Sequence, residues 1–166
     1  MVRPKLDRID MNILVVLQER GRISNAELAD AVGLSPSPCL LRVKRLQKAG
    51  YVTGYAAQLD LARLGPVLTI FLEITLTEHR AANFQLFEAA IRKRPEIVEC
   101  HLVSGGFDYL VKVVVAELPH YQDMMEALQQ ANIGLAKYFS YIVVKTPVAP
   151  RAAPLKLLFE DDSDAR

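Results

Sequence analysis

Four basic residues and no acidic one lie between Ser35 and Gly50: Arg42, Lys44, Arg45 and Lys48. Cations gathered on one short segment suit double-stranded DNA, whose phosphates take lysine and arginine and whose base edges take arginine or small hydroxyls. A second set, Ser104-Gly105-Gly106-Phe107-Asp108-Tyr109, offers different chemistry. Two glycines let backbone N–H groups approach a carboxylate, and Asp108 is an acceptor for an ammonium group. Together they would hold a zwitterion. The other reading of the same residues is a plain hairpin turn in which Asp108 bonds its own loop. Catalytic and metal-ligating sets are absent from the sequence pattern. His79, His101 and His120 are widely separated, and Glu99 and His101, two apart on one expected strand, have no third ligand at metal spacing. There is no Gly-rich phosphate loop, no G-x-S-x-G and no pair of carboxylates placed for acid–base work. No enzyme activity, cofactor or metal is expected. Cys39 and Cys100 are far apart and read as reduced core residues.

The basic segment is positioned by a recognisable order of caps and turns. Asp7 can cap a first helix, along which Ile9, Met11, Ile13, Leu14 and Leu17 recur at mostly helical spacing until Gly21. Ser24 and Glu27 have the S-x-x-E spacing of a capping box, so a second helix starts after Ser24 and ends at Gly33. Ser35 is then another N-cap, with Pro36 at the first helical position, and Gly50 is the stop. Cap, short helix, glycine turn, cap, basic helix is the order of a helix-turn-helix. On the last of these helices Cys39, Val43 and Leu46 share the inner side, with Leu28, Val32 and Leu34 opposite. Ser37, Pro38, Leu41, Arg42, Lys44, Arg45 and Lys48 fall on the outer arc. Ser37, Pro38 and Arg42 are the candidates for base contact; Lys44, Arg45 and Lys48 are the candidates for phosphate. Ser24, Asn25 and Arg22, at the start of the preceding helix, and the cap Ser35 complete the candidate DNA set.

Bulk charge agrees with two modules. The net charge is only +1, which speaks against a general polyanion binder. Residues 1–60 hold nine Lys/Arg and six Asp/Glu, a net of +3; residues 61–166 hold eleven and thirteen, a net of −2. The N-terminus has no apolar signal region and no run approaches the ~18 apolar residues of a membrane span, so a cytoplasmic protein is expected.

After Gly50, YVTGYAAQLD reads as a strand or extended connector, and LARLG as a short turn. Behind it, VLTIFLEITL, EIVECHLVSG, GFDYLVKVVVA and KYFSYIVVKTP read as strands. HRAANFQLFEAAIRKRP and LPHYQDMMEALQQA read as helices. The order βαββαβ predicts an α+β chain whose back half is a ferredoxin-like fold, a four-stranded antiparallel sheet with both helices on one face. The other sheet face then needs a cover, which a second subunit would supply. The expected divisions are a DNA-binding domain over 1–52, a hinge over 53–65, a sensing and oligomerisation domain over 66–147 and a tail over 148–166. The tail, with two prolines and an acidic end, is expected to be largely extended, with Leu155–Phe159 docking on a neighbour.

LDRIDMNIL followed by LQERGRISNAELADAVGLSPSPCLLRVKRLQKAGYVTGY, and then a βαββαβ unit containing HLVSGGFDYLVKV, resembles the Lrp/AsnC (feast/famine) transcription factors over about residues 5–147. The resemblance implies a winged or plain helix-turn-helix, an extended hinge and a ligand-sensing domain. It implies dimers formed through the sheets, assembling into tetramers or octamers. It also implies an amino acid or amino-acid-like effector bound between dimers, with Ser104, Gly105, Gly106 and Asp108 lining the pocket. Tyr138 and Ser140 would complete that pocket from a neighbouring subunit. Several relatives carry a small hydroxyl residue about where Tyr138 stands, a departure that points away from leucine or asparagine. SGGFDYLVK and ANIGLAKYFSYIVVKTP are similar to the subgroup that regulates catabolism of ectoine and like compatible solutes. The alternative is an architectural DNA-wrapping protein without an effector, to which the Gly-Gly-Phe-Asp loop would be superfluous.

Overall fold

The computed structural model describes residues 5–149 and 151–159. It divides into two compact units. One comprises the residues through Gln58 together with those from Ala149; the other is Leu59–Val148.

The first unit opens with three helices, α1 (Arg8–Glu19), α2 (Asn25–Ala31) and α3 (Pro36–Lys48). Each start is set by a short polar side chain in extended backbone. The Asp7 carboxylate accepts from the Asp10 N–H at 2.8 Å, and the Asp10 carboxylate accepts in return from the Asp7 N–H at 3.2 Å. Ser24 and Glu27 make the same reciprocal box on α2. Each pair satisfies two of the amide donors that a helix start leaves unbonded. α2 ends at Gly33, whose φ of +70° lets the Leu34 N–H turn back to the Ala29 carbonyl at 2.8 Å. That left-handed residue makes the tight turn into α3 possible. Ser35 occupies the cap position of α3 but makes no side-chain cap bond. Part of the reason lies three residues along: a cap hydroxyl accepts from the second or third helical N–H, and Pro38 at the third position has none. Ile13, Leu17, Leu28, Ala29, Cys39 and Leu46 form the buried core, with Val32, Leu34 and Val43 packed round it. The stretch after α3 forms neither a helix nor a strand before the short 3-10 turn Leu61–Arg63, so no wing strands form among the described residues.

The second unit runs β1 (Leu68–Leu76), α4 (Ala81–Ile91), β2 (Ile97–Leu102), β3 (Tyr109–Val115), α5 (Leu118–Gln130) and β4 (Leu135–Ile142). The strands order β2-β3-β1-β4, all neighbours antiparallel, which is the expected ferredoxin-like arrangement. Alternation decides which face is covered. Ile70, Leu72, Ile74 and Leu76 on β1 and Tyr109, Val111, Val113 and Val115 on β3 are buried with Phe87 and Ile91 of α4 and Met124, Met125 and Leu128 of α5. The opposite face carries Phe71 between Lys112 and Tyr141, and Glu73 between Leu110 and Phe139. Phe139 and Tyr141 are about half exposed there, and the Tyr141 hydroxyl donates to Glu73 at 3.2 Å. Within this unit no described element covers that face.

The tail departs from expectation. Leu155–Phe159 forms a last helix, α6, which packs on α1 of its own chain rather than awaiting a neighbour. Gln18 on α1 also donates to the Ala153 carbonyl at 2.8 Å. The same carbonyl also accepts from the Leu155 N–H at 2.8 Å, so it is bonded both within the tail and to α1. The acidic end, Glu160-Asp161-Asp162, lies outside the described residues.

Candidate nucleic-acid interface and sensor loop

The inner and outer sides of α3 are fixed by burial. Cys39 and Leu46 face the core, and burial raises the Cys39 thiol pKa, so this thiol is a packing group and not a nucleophile. Asp10 on α1 is completely buried. Burying a lone carboxylate is costly, so it must be paired. Arg42 donates to Asp10 at 2.9 Å and to Asp7 at 2.6 Å, and Arg45 donates to the other Asp10 oxygen. Two acids and two arginines thereby form a neutral cluster that ties α3 to the start of α1.

Arg42, a candidate for base contact, is thus engaged within its own chain. Its guanidinium is only 27% exposed and is turned toward α1, so it is not presented to base edges. Arg45 is likewise committed to Asp10, although at 47% exposure it keeps an outward flank. The candidate residues on α2 are also occupied. The Ser24 hydroxyl and Glu27 bond each other, and the Asn25 amide donates to the Pro36 carbonyl at 2.8 Å, bracing the turn. Of the candidate set, Asn25 and Arg42 are half-buried and the others are exposed; of the exposed ones on α3 and at its cap, Ser35, Ser37, Pro38, Lys44 and Lys48 are not drawn to α1 as Arg45 is. Lys44 and Lys48 make no ion pair among the described residues. The outward stripe therefore reads Ser37, Leu41, Lys44, Lys48, at helical spacing and without an acid. The partners Asp7 and Asp10 were missed at the level of sequence. The signal was there: an acid at position 10 between Ile9 and Met11, on a turn otherwise built for burial, demands a cation from elsewhere.

The sensor loop joins β2 to β3, and Ser104, Gly105 and Gly106 are exposed at its tip. Gly105 has φ +144°, a conformation that favours glycine. Asp108 is different. Its side chain is 15% exposed; one oxygen accepts the Leu76 N–H at 2.7 Å and the other lies 2.8 Å from His79 Nε2. Its own N–H donates to the Ile74 carbonyl at 2.9 Å. Asp108 thus pins the end of β1 to the start of β3, close to the plain-turn reading, and the expected free acceptor for an ammonium is already engaged. Tyr138 and Ser140 sit on β4, two strands from β3, on the helix-covered side. Tyr138 accepts from Gln129 at 2.9 Å and Ser140 bonds the Tyr121 hydroxyl. One chain does not bring them to the Ser104–Gly106 tip.

A shallow groove of about 320 Å³ lies between α4 and the outer edge of β2, lined by Glu88, Arg92, Val98, Cys100 and Tyr109 among others. Glu88 accepts from the Tyr109 hydroxyl at 3.0 Å and from Arg92 at 3.1 Å. Desolvation, aided by the Glu88 charge, pushes the Cys100 thiol up to about 11, so it too stays protonated. Glu99 on β2 is held by Lys112 at 2.7 Å and lies 3.8 Å from His101. No group of three His, Cys, Asp or Glu placed to hold a metal occurs among the described residues, and no described helix is long and apolar enough to cross a membrane.

Comparison with known proteins matches both halves of the chain. A winged helix-turn-helix DNA-binding family model matches residues 6–53, and the Lrp/AsnC ligand binding domain matches residues 69–153. The chain is 42% identical over 149 residues to the transcriptional regulatory protein DoeX of Halomonas elongata, covering 90% of this chain and 94% of that one. It is 46% identical over 140 residues to the leucine-responsive regulatory protein of Salmonella typhimurium, covering 84% and 85%. Among solved structures, a transcriptional regulator from Neisseria meningitidis in complex with L-methionine superposes with a TM-score of 0.85 at 34% identity, over 93% of this chain and 99% of that one.

Proposed function

This chain belongs to the Lrp/AsnC family of transcriptional regulators, with a helix-turn-helix DNA-binding domain and a family ligand-binding domain, and from that premise we propose how its two sites work. α3 enters the major groove, Lys44 and Lys48 take phosphates, and Ser35, Ser37 and Pro38 lie nearest the bases. The observation that carries this is the outward stripe of α3: two unpaired cations, no acid, and Arg42 and Arg45 drawn back to Asp10. Lys44→Ala and Lys48→Ala should each weaken DNA binding and lower the slope of log affinity against log salt by about one. Unchanged slopes in both variants would show that another surface holds the DNA.

The open face of the sheet, with Phe71, Phe139 and Tyr141, supports a homodimer formed sheet to sheet, assembling further into tetramers or octamers. The effector is an amino-acid-like compound held between dimers at Ser104–Gly106, with the compatible-solute class favoured by the similarity to DoeX. A partner's residues must complete that pocket, because Tyr138 and Ser140 of the same chain lie two strands away. Effector binding then changes dimer packing, and with it the spacing of the recognition helices along DNA. The setting is a prokaryotic cytoplasm. Thermal unfolding with a panel of amino acids and compatible solutes tests the effector: a true ligand at 100 times its Kd adds about 2.7 kcal/mol of stability. If no compound shifts the transition while DNA binding persists, the chain is an effector-free DNA wrapper.

A further inference from the structure

We infer that Leu41 is a specificity-determining residue that reads thymine methyl groups in the major groove. The inference rests on the proposal that α3 is the groove-entering helix. Leu41 is 68% exposed, the most exposed large apolar side chain on that helix. A single exposed leucine is ordinary on a protein surface. Its position gives it meaning. With 3.6 residues per turn, Leu41 lies four residues after Ser37, three before Lys44 and seven before Lys48, so it sits in the middle of the outward stripe, opposite Cys39 and Leu46. Cations flank it on the C-terminal side, and α3 has no acid to repel a phosphate backbone. Any duplex drawn onto Lys44 and Lys48 therefore meets Leu41.

The side chains that would read guanine are drawn away. A bidentate pair to guanine needs an outward guanidinium, and both arginines of α3 are held by Asp10, with Asp7 as a second acceptor for Arg42. What remains toward the bases at the start of α3 is Ser35, Ser37, Pro38 and Leu41: two hydroxyls and two apolar groups. The only apolar feature on a major-groove edge is the thymine C5-methyl group. Leucine carries no donor or acceptor, so it can discriminate only through that methyl. Base recognition by α3 then rests on apolar and hydroxyl contacts, and thymine positions dominate it.

The test uses the full-length protein and duplexes that it selects from a randomised pool. Each thymine of a selected duplex is replaced singly by deoxyuridine, which removes the methyl and keeps every hydrogen-bonding group. At one or more thymines the wild type should lose affinity by about fourfold, the worth of burying one methyl-sized group. Leu41→Ala should bind thymine and deoxyuridine duplexes equally, with an unchanged thermal transition because the side chain is exposed. Lys44→Ala serves as the control for the helix. If it weakens binding while no thymine methyl matters, or while Leu41→Ala keeps the same methyl dependence, the inference fails and the groove-helix assignment stands. If Lys44→Ala also has no effect, the assignment itself fails. A pool that yields no preferred sequence overturns the inference as well.

Discussion

Arg42 on α3 and Asp108 after the β2–β3 turn are each held by two partners from their own chain, Arg42 by Asp7 and Asp10, Asp108 by the Leu76 N–H and His79. The two regions differ in what is left over. On α3, withdrawal of the arginines leaves Lys44, Lys48, Ser37 and Leu41 outward on a single rigid helix, so one chain presents a whole DNA-facing surface. At the sensor loop, engagement of Asp108 leaves exposed backbone at Ser104–Gly106 and no charged side chain of the loop free to meet an ammonium. The proposed DNA-facing stripe is complete within a chain; the proposed effector pocket is not. The proposed pocket between dimers would take the groups missing from the loop from another copy, which makes sensing depend on assembly.

The largest expected effect breaks the first half of that comparison. Asp10→Ala removes the buried carboxylate that holds both arginines, and loss of one side of a buried pair costs about 3–5 kcal/mol. Arg45 is half exposed and can regain water, so about 3 kcal/mol is expected. Denaturant unfolding, followed by hydrogen exchange in α1 and α3, measures it. A loss below about 0.5 kcal/mol, the range of ordinary surface substitutions, would mean that the cluster does not hold the helix and that Arg42 is free to read bases after all.

Asp108→Ala comes next. It leaves the Leu76 N–H without its acceptor, and an unsatisfied buried donor costs about 1–3 kcal/mol. The loss should appear in the ligand-binding unit and leave Lys44-dependent DNA affinity per folded molecule unchanged. If stability does not move but the response to an effector disappears, Asp108 is a ligand contact and the sensor loop is nearer to complete than its geometry implies. Lys44→Ala and Lys48→Ala sharpen the contrast from the other side: stability within about 0.5 kcal/mol of the parent, with a clear loss of DNA affinity.

How much of this was legible in the sequence follows from how local each determinant is. The capping boxes, the Gly33 turn and the alternation of β1 and β3 are written within a few residues, and the helix-turn-helix and the βαββαβ order followed from them. The fate of Arg42 was not legible from its own helix, because its partners lie 32 and 35 residues earlier. Outer-arc geometry put it toward DNA, but a long guanidinium can bend back to a buried acid, and only the packing of α1 on α3 decides between the two. Asp108 was half legible: the hairpin reading was open, but its bond to the end of β1 needed the strand order. The α1–α6 contact had no sequence signal beyond five mostly apolar residues between prolines and acids.

The smallest effect is a pH dependence. Partial desolvation works against the Asp7 carboxylate, but the Asp10 N–H and the Arg42 guanidinium outweigh it and hold its pKa below the ordinary aspartate value of 3.8. A carboxylate depressed by folding adds stability above its unfolded pKa, and that stability is lost as pH falls through the folded value. The helix-turn-helix unit should therefore weaken below about pH 4, and Asp7→Asn should remove that part of the acid response while leaving neutral-pH stability lower by a similar amount. Asp7 is half exposed, so solvent screening limits the contribution to about 0.5 kcal/mol. Glu99 in the ligand-binding unit, depressed mainly by its bond to Lys112, gives that unit an acid response of the same sign. Acid titration of Asp7→Asn and Glu99→Gln, each followed by amide exchange in its own unit, separates the two. If Asp7→Asn leaves the acid limb of α1 and α3 unchanged, the outer of the two carboxylates contributes nothing to the latch, and Arg42 is held by Asp10 alone.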